Sequence, residues 1–462
     1  MNTPSENVNS SQLRSPAGIL KRQSPLPLAE PWLKVSKYAT DVQPLSARLP
    51  PAVESVLVSL VLVRTAKGVE GLVTLEAPQT CSPVGVDFVF AVDKSGSMMG
   101  SKLATVIKVL EWAAGGGLQP EDRACIVSFD HAADLVLPLT SLHDEAGQAA
   151  FRDAARLLRA AGGTCISGAL GVSAGVLRDR RFKNDSASVL LLSDGIDETA
   201  LKRSEAAVAA LKSVTTVRAI GIGEDHDPIL LSKLAKAVHG DFAYAANSEA
   251  IAATMGAAVG AAKSCVATSL DSLVISTGEG VVLRSITDAG TLCAGERRVY
   301  HFAHAGAVAS VAAKLSYVKP GMVVAHKESA APLLEDAPTE TLVLIESHAC
   351  REAVAAGILQ ATRCARHGKF GEAAALLDTI IARVSGSIAA DTEMCVALLR
   401  DLEGAKSDCS SFSQFNDGGL ARMTSNGARH MNMRSTGDRD DFYATPSMMA
   451  AATQAVQASL PI

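Results

Sequence analysis

The sequence predicts an α/β fold in which a doubly wound, mostly parallel sheet is flanked by a β-sandwich and followed by a C-terminal helical segment. Over residues 85–264, apolar strands alternate with helical stretches, a pattern typical of a parallel sheet covered on both faces. Short strand-like segments separated by Gly, Asp and Pro turns follow over residues 265–345. Two amphipathic stretches broken at His367-Gly368 then predict a helical hairpin over residues 346–406.

The 462-residue chain is too long for one compact core, so several folded units are expected. Residues 1–48 are rich in Ser, Pro and Asn and are expected to form a disordered leader. Residues 49–84 contain the Val- and Leu-rich segments ESVLVSLVLV and EGLVTLEA, which predict a β-hairpin. We expect this hairpin to pair with the strands of residues 265–345, so that the α/β domain is an insertion in one β-sandwich. Residues 407–462 are expected to form a flexible tail.

Each element of the α/β domain follows from local pattern. Short apolar runs rich in Val, Ile, Leu and Phe predict the strands VDFVFAV, RACIVSF, SVLLLS, VRAIGIG and FAYA. Longer segments with helical periodicity between them predict helices over residues 101–114, 149–160, 167–177, 202–212, 228–239 and 249–262. The strands predicted after residue 265 are SLVIS, GVVLRSI, RRVYHFA, VAAKLSYV and ETLVLIE.

Composition excludes several classes of function. The net charge of -5 is spread without a basic stripe, which argues against nucleic acid and anionic membranes as partners. The sequence contains no apolar run of about 18 residues that would span a bilayer, and its polar amino terminus does not resemble a secretory signal. The nine cysteines are scattered and never form C-x-x-C, so we expect free thiols in a reducing compartment rather than a zinc site. The predicted location is the cytoplasm.

Oxygen-bearing side chains follow two of the predicted strands. Asp93 ends VDFVFAV, and Ser95 and Ser97 follow it at intervals of two residues, so these side chains can converge on one point. Thr164 lies in a Gly-rich loop before a helix, and Asp194 ends another strand, so their loops are expected at the same edge of the sheet. Hydroxyl and carboxylate oxygens suit Mg²⁺, and Mn²⁺ or Ca²⁺ as well. The predicted metal ligands are Asp93, Ser95, Ser97, Thr164 and Asp194.

This Asp-x-Ser-x-Ser, Thr, Asp set resembles the metal-ion-dependent adhesion site of von Willebrand factor type A (VWA) domains, the family that includes integrin inserted domains and copines. VDFVFAVDKSGSM, QPEDRACIVSFD, LLLSDGIDET and AIGIGEDHDPILLSKLAKAVHGDFAYA extend the resemblance over residues 85–264. It implies metal-dependent binding of a protein whose Asp or Glu completes the coordination of the ion. It also implies that the protein is not an enzyme.

The segments beyond the α/β domain resemble the VWA-interacting region of intracellular VWA proteins, among them plant RING-type E3 ubiquitin ligases and VWA proteins fused to Hint domains. The cysteines of this chain form no RING pattern, so the resemblance does not imply direct ubiquitin transfer. A role as an intracellular adaptor, or as a non-catalytic subunit or substrate adaptor in a ubiquitin-ligase-type pathway, stays open.

Two further alternatives are weighed against metal-dependent adhesion. A Mg²⁺-dependent hydrolase of the haloacid dehalogenase type also places an aspartate at the end of its first strand. That chemistry needs a second carboxylate two residues later, where this chain has Ser95. In a purely structural alternative the sandwich or the helices make the contacts. Loss of a partner on Asp194→Ala, with the fold intact, would favour the adhesion site.

Overall fold

A computed structural model of the chain describes residues 55–66, 68–81, 84–434 and 442–460. The leader predicted over residues 1–48 lies outside these described residues. The described chain begins with an antiparallel hairpin, in which Leu57 pairs with Glu76. Its strands are β1 (Leu57–Thr65) and β2 (Gly68–Glu76).

A six-stranded sheet forms the centre of the molecule. Its strands are β3 (Val86–Asp93), β4 (Arg123–Phe129), β5 (Ala133–Ser141), β6 (Ser186–Ser193), β7 (Thr216–Ile222) and β8 (Phe242–Ala245). The strand order is β5-β4-β3-β6-β7-β8, and every neighbouring pair is parallel except β4 and β5. The predicted doubly wound, mostly parallel sheet is confirmed, with β5 as an antiparallel edge strand that the sequence pattern did not reveal.

Helices cover both faces of this sheet. They are α1 (Ser101–Trp112), α2 (Glu145–Arg156), α3 (Ile166–Asp179), α4 (Ala200–Arg203), α5 (Glu205–Lys212), α6 (Pro228–Ala237) and α7 (Ser248–Lys263). Alternate residues of β3 serve the two cores: Phe88 and Phe90 pack with α1, α2 and α7, whereas Val89 and Ala91 pack with α3, α5 and α6. All eight residues of β3 are therefore buried.

The order of the strands fixes where a ligand can bind. From β3 the chain first adds strands on one side, through β4 and β5, and then returns to add β6, β7 and β8 on the other. The crevice outside the carboxyl ends of β3 and β6 is thus the switch point of the sheet, where open α/β sheets bind ligands. Asp93 ends β3, and Asp194 directly follows β6.

Two flanking sheets and a short two-stranded ribbon are built from the hairpin and from the strands that follow the α/β domain. Their further strands are β9 (Cys265–Ala267), β10 (Ser269–Thr277), β11 (Val282–Thr287), β12 (Leu292–Cys293), β13 (Arg297–His304), β14 (Ser310–Lys319) and β15 (Val323–Pro332). The sheets have the orders β1-β2-β13 and β11-β10-β14-β15, and β9 pairs with β12. The hairpin therefore joins the later strands, as the sequence pattern predicted, and the two sheets share one apolar core.

The rest of the described chain is helical. These helices are α8 (Thr339–Arg366), α9 (Phe370–Ser385), α10 (Glu393–Asp408), α11 (Phe412–Gln414), α12 (Leu420–Asn432) and α13 (Pro446–Ser459). The break between α8 and α9 falls at His367-Gly368, as predicted, with Gly368 in the left-handed region at φ 73°. A third helix, α10, packs against this pair and shares its core.

Two sequence predictions are wrong in this part of the chain. ETLVLIE was expected as a strand, but residues 340–346 form the first turns of α8, where Ile345 is buried against the sandwich core. The described part of the predicted flexible tail contains α12 and α13. Small residues explain the second error: α13 lies so close to α7 that a Cβ on Gly256 would be 2.5 Å from the carbonyl oxygen of Ala451. Close packing of Gly and Ala leaves no long apolar stripe to recognise.

All nine cysteines are free thiols in the structure, as predicted. Cys265 and Cys293 are register partners in the β9–β12 ribbon but are not bonded to each other. Among the described residues, no helix combines the length and the apolar character needed to cross a membrane.

Candidate metal site

The loop after β3 presents the first group of predicted ligands. Asp93 is fully buried and accepts hydrogen bonds from the backbone N–H of Ser95 at 2.8 Å and from the Ser193 hydroxyl at 2.6 Å. Burial raises the pKa of Asp93 to about 6, against the opposing effect of these hydrogen bonds. Ser95 is also buried, whereas Ser97, one short turn later, is exposed. The loop therefore runs from a buried carboxylate to an exposed hydroxyl.

Asp194 brings the end of β6 to this loop. Its carboxylate is fully buried, and its Oδ1 accepts hydrogen bonds from Ser97 Oγ at 2.7 Å and Ser95 Oγ at 3.4 Å. The two serine hydroxyl oxygens are 3.0 Å apart. The structure thus brings Ser95, Ser97 and Asp194 into one hydrogen-bonded cluster.

Thr164 reaches the same edge from the loop before α3. A Cβ on Gly195 would lie 2.2 Å from Thr164 Oγ1, so the threonine hydroxyl sits directly against the backbone that follows Asp194. The loop is anchored to the Asp93 loop by two hydrogen bonds: Gly96 N–H donates to the Gly162 carbonyl at 3.0 Å, and Ala161 N–H donates to the Lys94 carbonyl at 2.7 Å. All five predicted side chains therefore lie at the carboxyl ends of β3 and β6.

Lys102 is a site residue that the sequence analysis missed. Its Nζ lies 2.5 Å from Asp194 Oδ2, so Asp194 uses one oxygen for this cation and the other for the two serines. The motif does not predict this lysine, because its contact with Asp194 depends on the direction in which α1 extends from the loop. Ser193, which donates to Asp93, was also missed, since it reads as the last residue of an apolar strand.

Lys94 has a different role. Its ammonium forms an ion pair with Asp130 at the end of β4, and this pairing lowers the pKa of the Asp130 carboxyl. The side chains of both residues are largely covered. Lys94 therefore ties two loops together beside the site and makes no contact with Asp194 among those recorded for the described residues.

The oxygen cluster has the spacing expected around a small cation. An octahedral Mg²⁺ ion with bonds of about 2.0–2.1 Å places neighbouring ligand oxygens roughly 3 Å apart. The Ser95–Ser97 and Ser97–Asp194 oxygen pairs are 3.0 and 2.7 Å apart. Hydroxyls and carboxylates are hard donors that suit Mg²⁺, Mn²⁺ and Ca²⁺. No group of three or more His, Cys, Asp or Glu residues in the described segments competes as a metal site.

Exposed apolar residues lie close in the sequence to two members of this cluster. Met99 follows Ser97 by two residues and is 71% exposed, and Ile196 follows Asp194 by two residues and is 57% exposed. Large apolar side chains that lie open beside a polar cluster are a feature of protein contact surfaces.

Comparison with known proteins agrees with this geometry. Residues 88–196 match the family model of the von Willebrand factor type A domain. The chain carries a VWA domain. An uncharacterized protein from Synechocystis sp. is 30% identical to this chain over 164 residues, 35% of this chain and 38% of the relative. The match thus spans well under half of that relative.

Two solved structures share the arrangement beyond the VWA domain. A von Willebrand factor type A protein from Catenulispora acidiphila is 17% identical, with a TM-score of 0.60 over 82% of this chain and 99% of that one. The ArnB paralog VWA2 from Sulfolobus acidocaldarius is 14% identical, with a TM-score of 0.51 over the same shares. At these identities the likeness shows the fold, in which flanking sheets and C-terminal helices accompany the VWA domain.

Proposed function

We propose that the VWA domain binds a protein partner through a divalent cation and that a partner Asp or Glu completes the coordination sphere. The observation that carries this proposal is the cluster of oxygens 2.7–3.4 Å apart at the switch point of the sheet. The residues that would hold the ion are Asp93, Ser95, Ser97, Thr164 and Asp194.

The chemistry of the donors favours Mg²⁺, with Mn²⁺ and Ca²⁺ as alternatives. Three of the five donors are neutral hydroxyls, so an ion held here keeps much of its positive charge and attracts a further carboxylate. The buried carboxylates of Asp93 and Asp194 form the floor of the site, and the exposed Ser97 lies at its rim. Because burial decreases from the two carboxylates to Ser97, the outer side of the cluster is accessible to a partner.

The surroundings of the cluster support a protein as the ligand. Met99 and Ile196 would add apolar contact area on either side of the partner carboxylate. A charged anchor surrounded by apolar contacts that exclude water is the usual arrangement of a strong interface contact. Binding rather than catalysis is proposed because Ser95 stands where a dehalogenase-type hydrolase needs its proton-handling carboxylate.

The direct test is calorimetric titration of the full chain with Mg²⁺ and with Mn²⁺. We compare wild type with Asp194→Asn and Ser97→Ala, and we use Asp134→Asn as the control because Asp134 is an exposed residue of the edge strand β5. We expect saturable binding by wild type and the control and no binding by Asp194→Asn. Equal metal binding by wild type and Asp194→Asn, with both folded, would exclude this site.

The partner is then sought by affinity capture with the same proteins, in Mg²⁺ and in EDTA. A protein held by wild type only in Mg²⁺, and lost with Asp194→Asn, supports capture through the metal. Partners indifferent to both metal and substitution would instead assign binding to the sandwich, the helices or the termini.

A further inference from the structure

Lys102 lies at a position where the dipole of its own helix disfavours a positive charge. It is the second residue of α1, and the first turn of this helix contains no acidic residue. The amino-terminal end of a helix carries partial positive charge, so a cation there is unfavourable. An interaction elsewhere must offset this cost, and the ion pair with the fully buried Asp194 carboxylate provides it.

The sheet also leaves space for this ammonium. A Cβ on Gly223, the residue after β7, would lie 3.1 Å from Lys102 Nζ and 3.2 Å from its Cε. The lysine thus lies beside the end of β7 and contacts the carboxylate oxygen of Asp194 that the serine hydroxyls do not use. Its side chain is only 27% exposed, so this packing covers most of it.

We propose that Lys102 is a positioning residue that sets the metal affinity of the site. It occupies Oδ2 of Asp194, so that only Oδ1 is left to contact the hydroxyls of Ser95 and Ser97. It also offsets one of the two carboxylate charges that would otherwise attract the ion. The site consequently binds the ion weakly by itself and gains affinity when a partner carboxylate is added. This inference rests on the proposed function.

A second consequence concerns the protein without metal. Asp194 is a fully buried carboxylate, and a buried charge without a counter-ion is strongly destabilising. Lys102 therefore also stabilises the fold when no metal is bound, and removing it makes stability depend on the metal. This distinguishes Lys102 from Lys94, which is near the same loop but pairs with Asp130.

The test measures the dissociation constant for Mg²⁺ alone, by calorimetry at fixed ionic strength, and the melting temperature with and without Mg²⁺. The variants are Lys102→Met, Lys102→Gln as a polar substitute in case the first does not fold, and Lys102→Arg as the conservative replacement. Lys94→Met is the matched control, because it removes the same charge one residue from Asp93. We expect the neutral variants at position 102 to bind Mg²⁺ at least tenfold more tightly than wild type, and to melt lower without metal. Lys102→Arg and Lys94→Met should stay within threefold of wild type.

The outcomes separate this inference from the proposed function. If wild type binds Mg²⁺ and the neutral variants bind it no more tightly, the role of Lys102 is refuted and the metal site stands. If Lys94→Met tightens binding as much, the effect is general electrostatics and the inference is also refuted. If wild type shows no binding but the neutral variants do, Lys102 suppresses binding as inferred. If none of them binds, both the inference and the proposed function fail.

Discussion

Gly195→Ala tests whether Thr164 belongs to the site without removing any ligand. The added methyl carbon would lie 2.2 Å from Thr164 Oγ1 and 2.9 Å from Thr164 Cβ. Ordinary contacts between such atoms begin near 3.4 Å, so the threonine must move by about 1 Å. Because the residue before Gly195 is Asp194, a backbone shift that relieves this clash would also move the Asp194 carboxylate.

The Thr164 loop has little freedom to yield. Its hydrogen bonds from Gly96 N–H to the Gly162 carbonyl and from Ala161 N–H to the Lys94 carbonyl hold it to the Asp93 loop. Overpacking of this kind typically costs about 1–3 kcal/mol of stability. Disturbing groups around a metal typically costs about 10- to 100-fold in affinity, so we expect a loss of Mg²⁺ affinity in that range.

The assay pairs Mg²⁺ calorimetry with urea unfolding of the full chain. Gly96→Ala is the control, because a Cβ at Gly96 would meet only the Gly162 carbonyl, at an ordinary 3.6 Å. Thr164→Ser in the Gly195→Ala background removes a methyl group from the clash and should recover part of the affinity. Wild-type affinity and stability in Gly195→Ala would refute the placement of Thr164 against the end of β6.

Two further predictions concern the stability of the fold outside the candidate site. Burial, with the nearby Arg351 and Arg297 cations, lowers the pKa of His348 from 6.5 to about 3. Below pH 6.5 the unfolded chain binds a proton at His348 that the folded chain does not bind. The free energy of unfolding is therefore not reduced by this residue above pH 6.5. It falls by about 1.4 kcal/mol per pH unit as the pH drops toward 3. In urea unfolding at pH 7 and pH 5, His348→Asn should lose less stability than wild type, and equal losses would contradict the assignment. Gly260→Ala should destabilise by about 1–3 kcal/mol, because its Cβ would meet the Ser447 carbonyl of α13, whereas Gly404→Ala, with open space around it, should not. Equal effects of the two changes would argue against the contact between α7 and α13.

The α/β domain was predictable because its strands are buried on both faces and read as unbroken apolar runs. β3 is such a strand, with all eight residues buried.

β15 was missed for the opposite reason: as an edge strand with sequence VVAHKESAAP, it has no buried residue and no apolar run. ETLVLIE misled because a short aliphatic run fits a strand or a helix equally well by periodicity. Its place at the start of the 28-residue helix α8 is decided by packing.

The five candidate ligands could be proposed from the sequence because four of them adjoin recognisable strands and all five carry oxygen. Parallel strands place their carboxyl ends at one edge, so Asp93 and Asp194 meet although about a hundred residues separate them. Lys102 and Ser193 could not be found in this way. Their roles depend on the direction in which a side chain leaves a helix or a strand end, and spacing in the sequence does not encode that direction.

The C-terminal helix α13 ties the VWA domain to the rest of the chain and determines which protein should be used to test the site. Ala455 of α13 belongs to the same apolar core as β3 and α1, and Lys108 of α1 donates to the Ser459 carbonyl at 2.9 Å. A fragment limited to residues 85–264 would expose the Gly256 and Gly260 face of α7, against which α13 packs. Since α7 and α1 share a core and the Asp93 loop leads directly into α1, we expect that loosening α7 would also disturb the proposed metal ligands. Loss of metal binding in such a fragment would therefore report the missing helix rather than the site, and the full chain is the appropriate protein for every comparison of metal affinity.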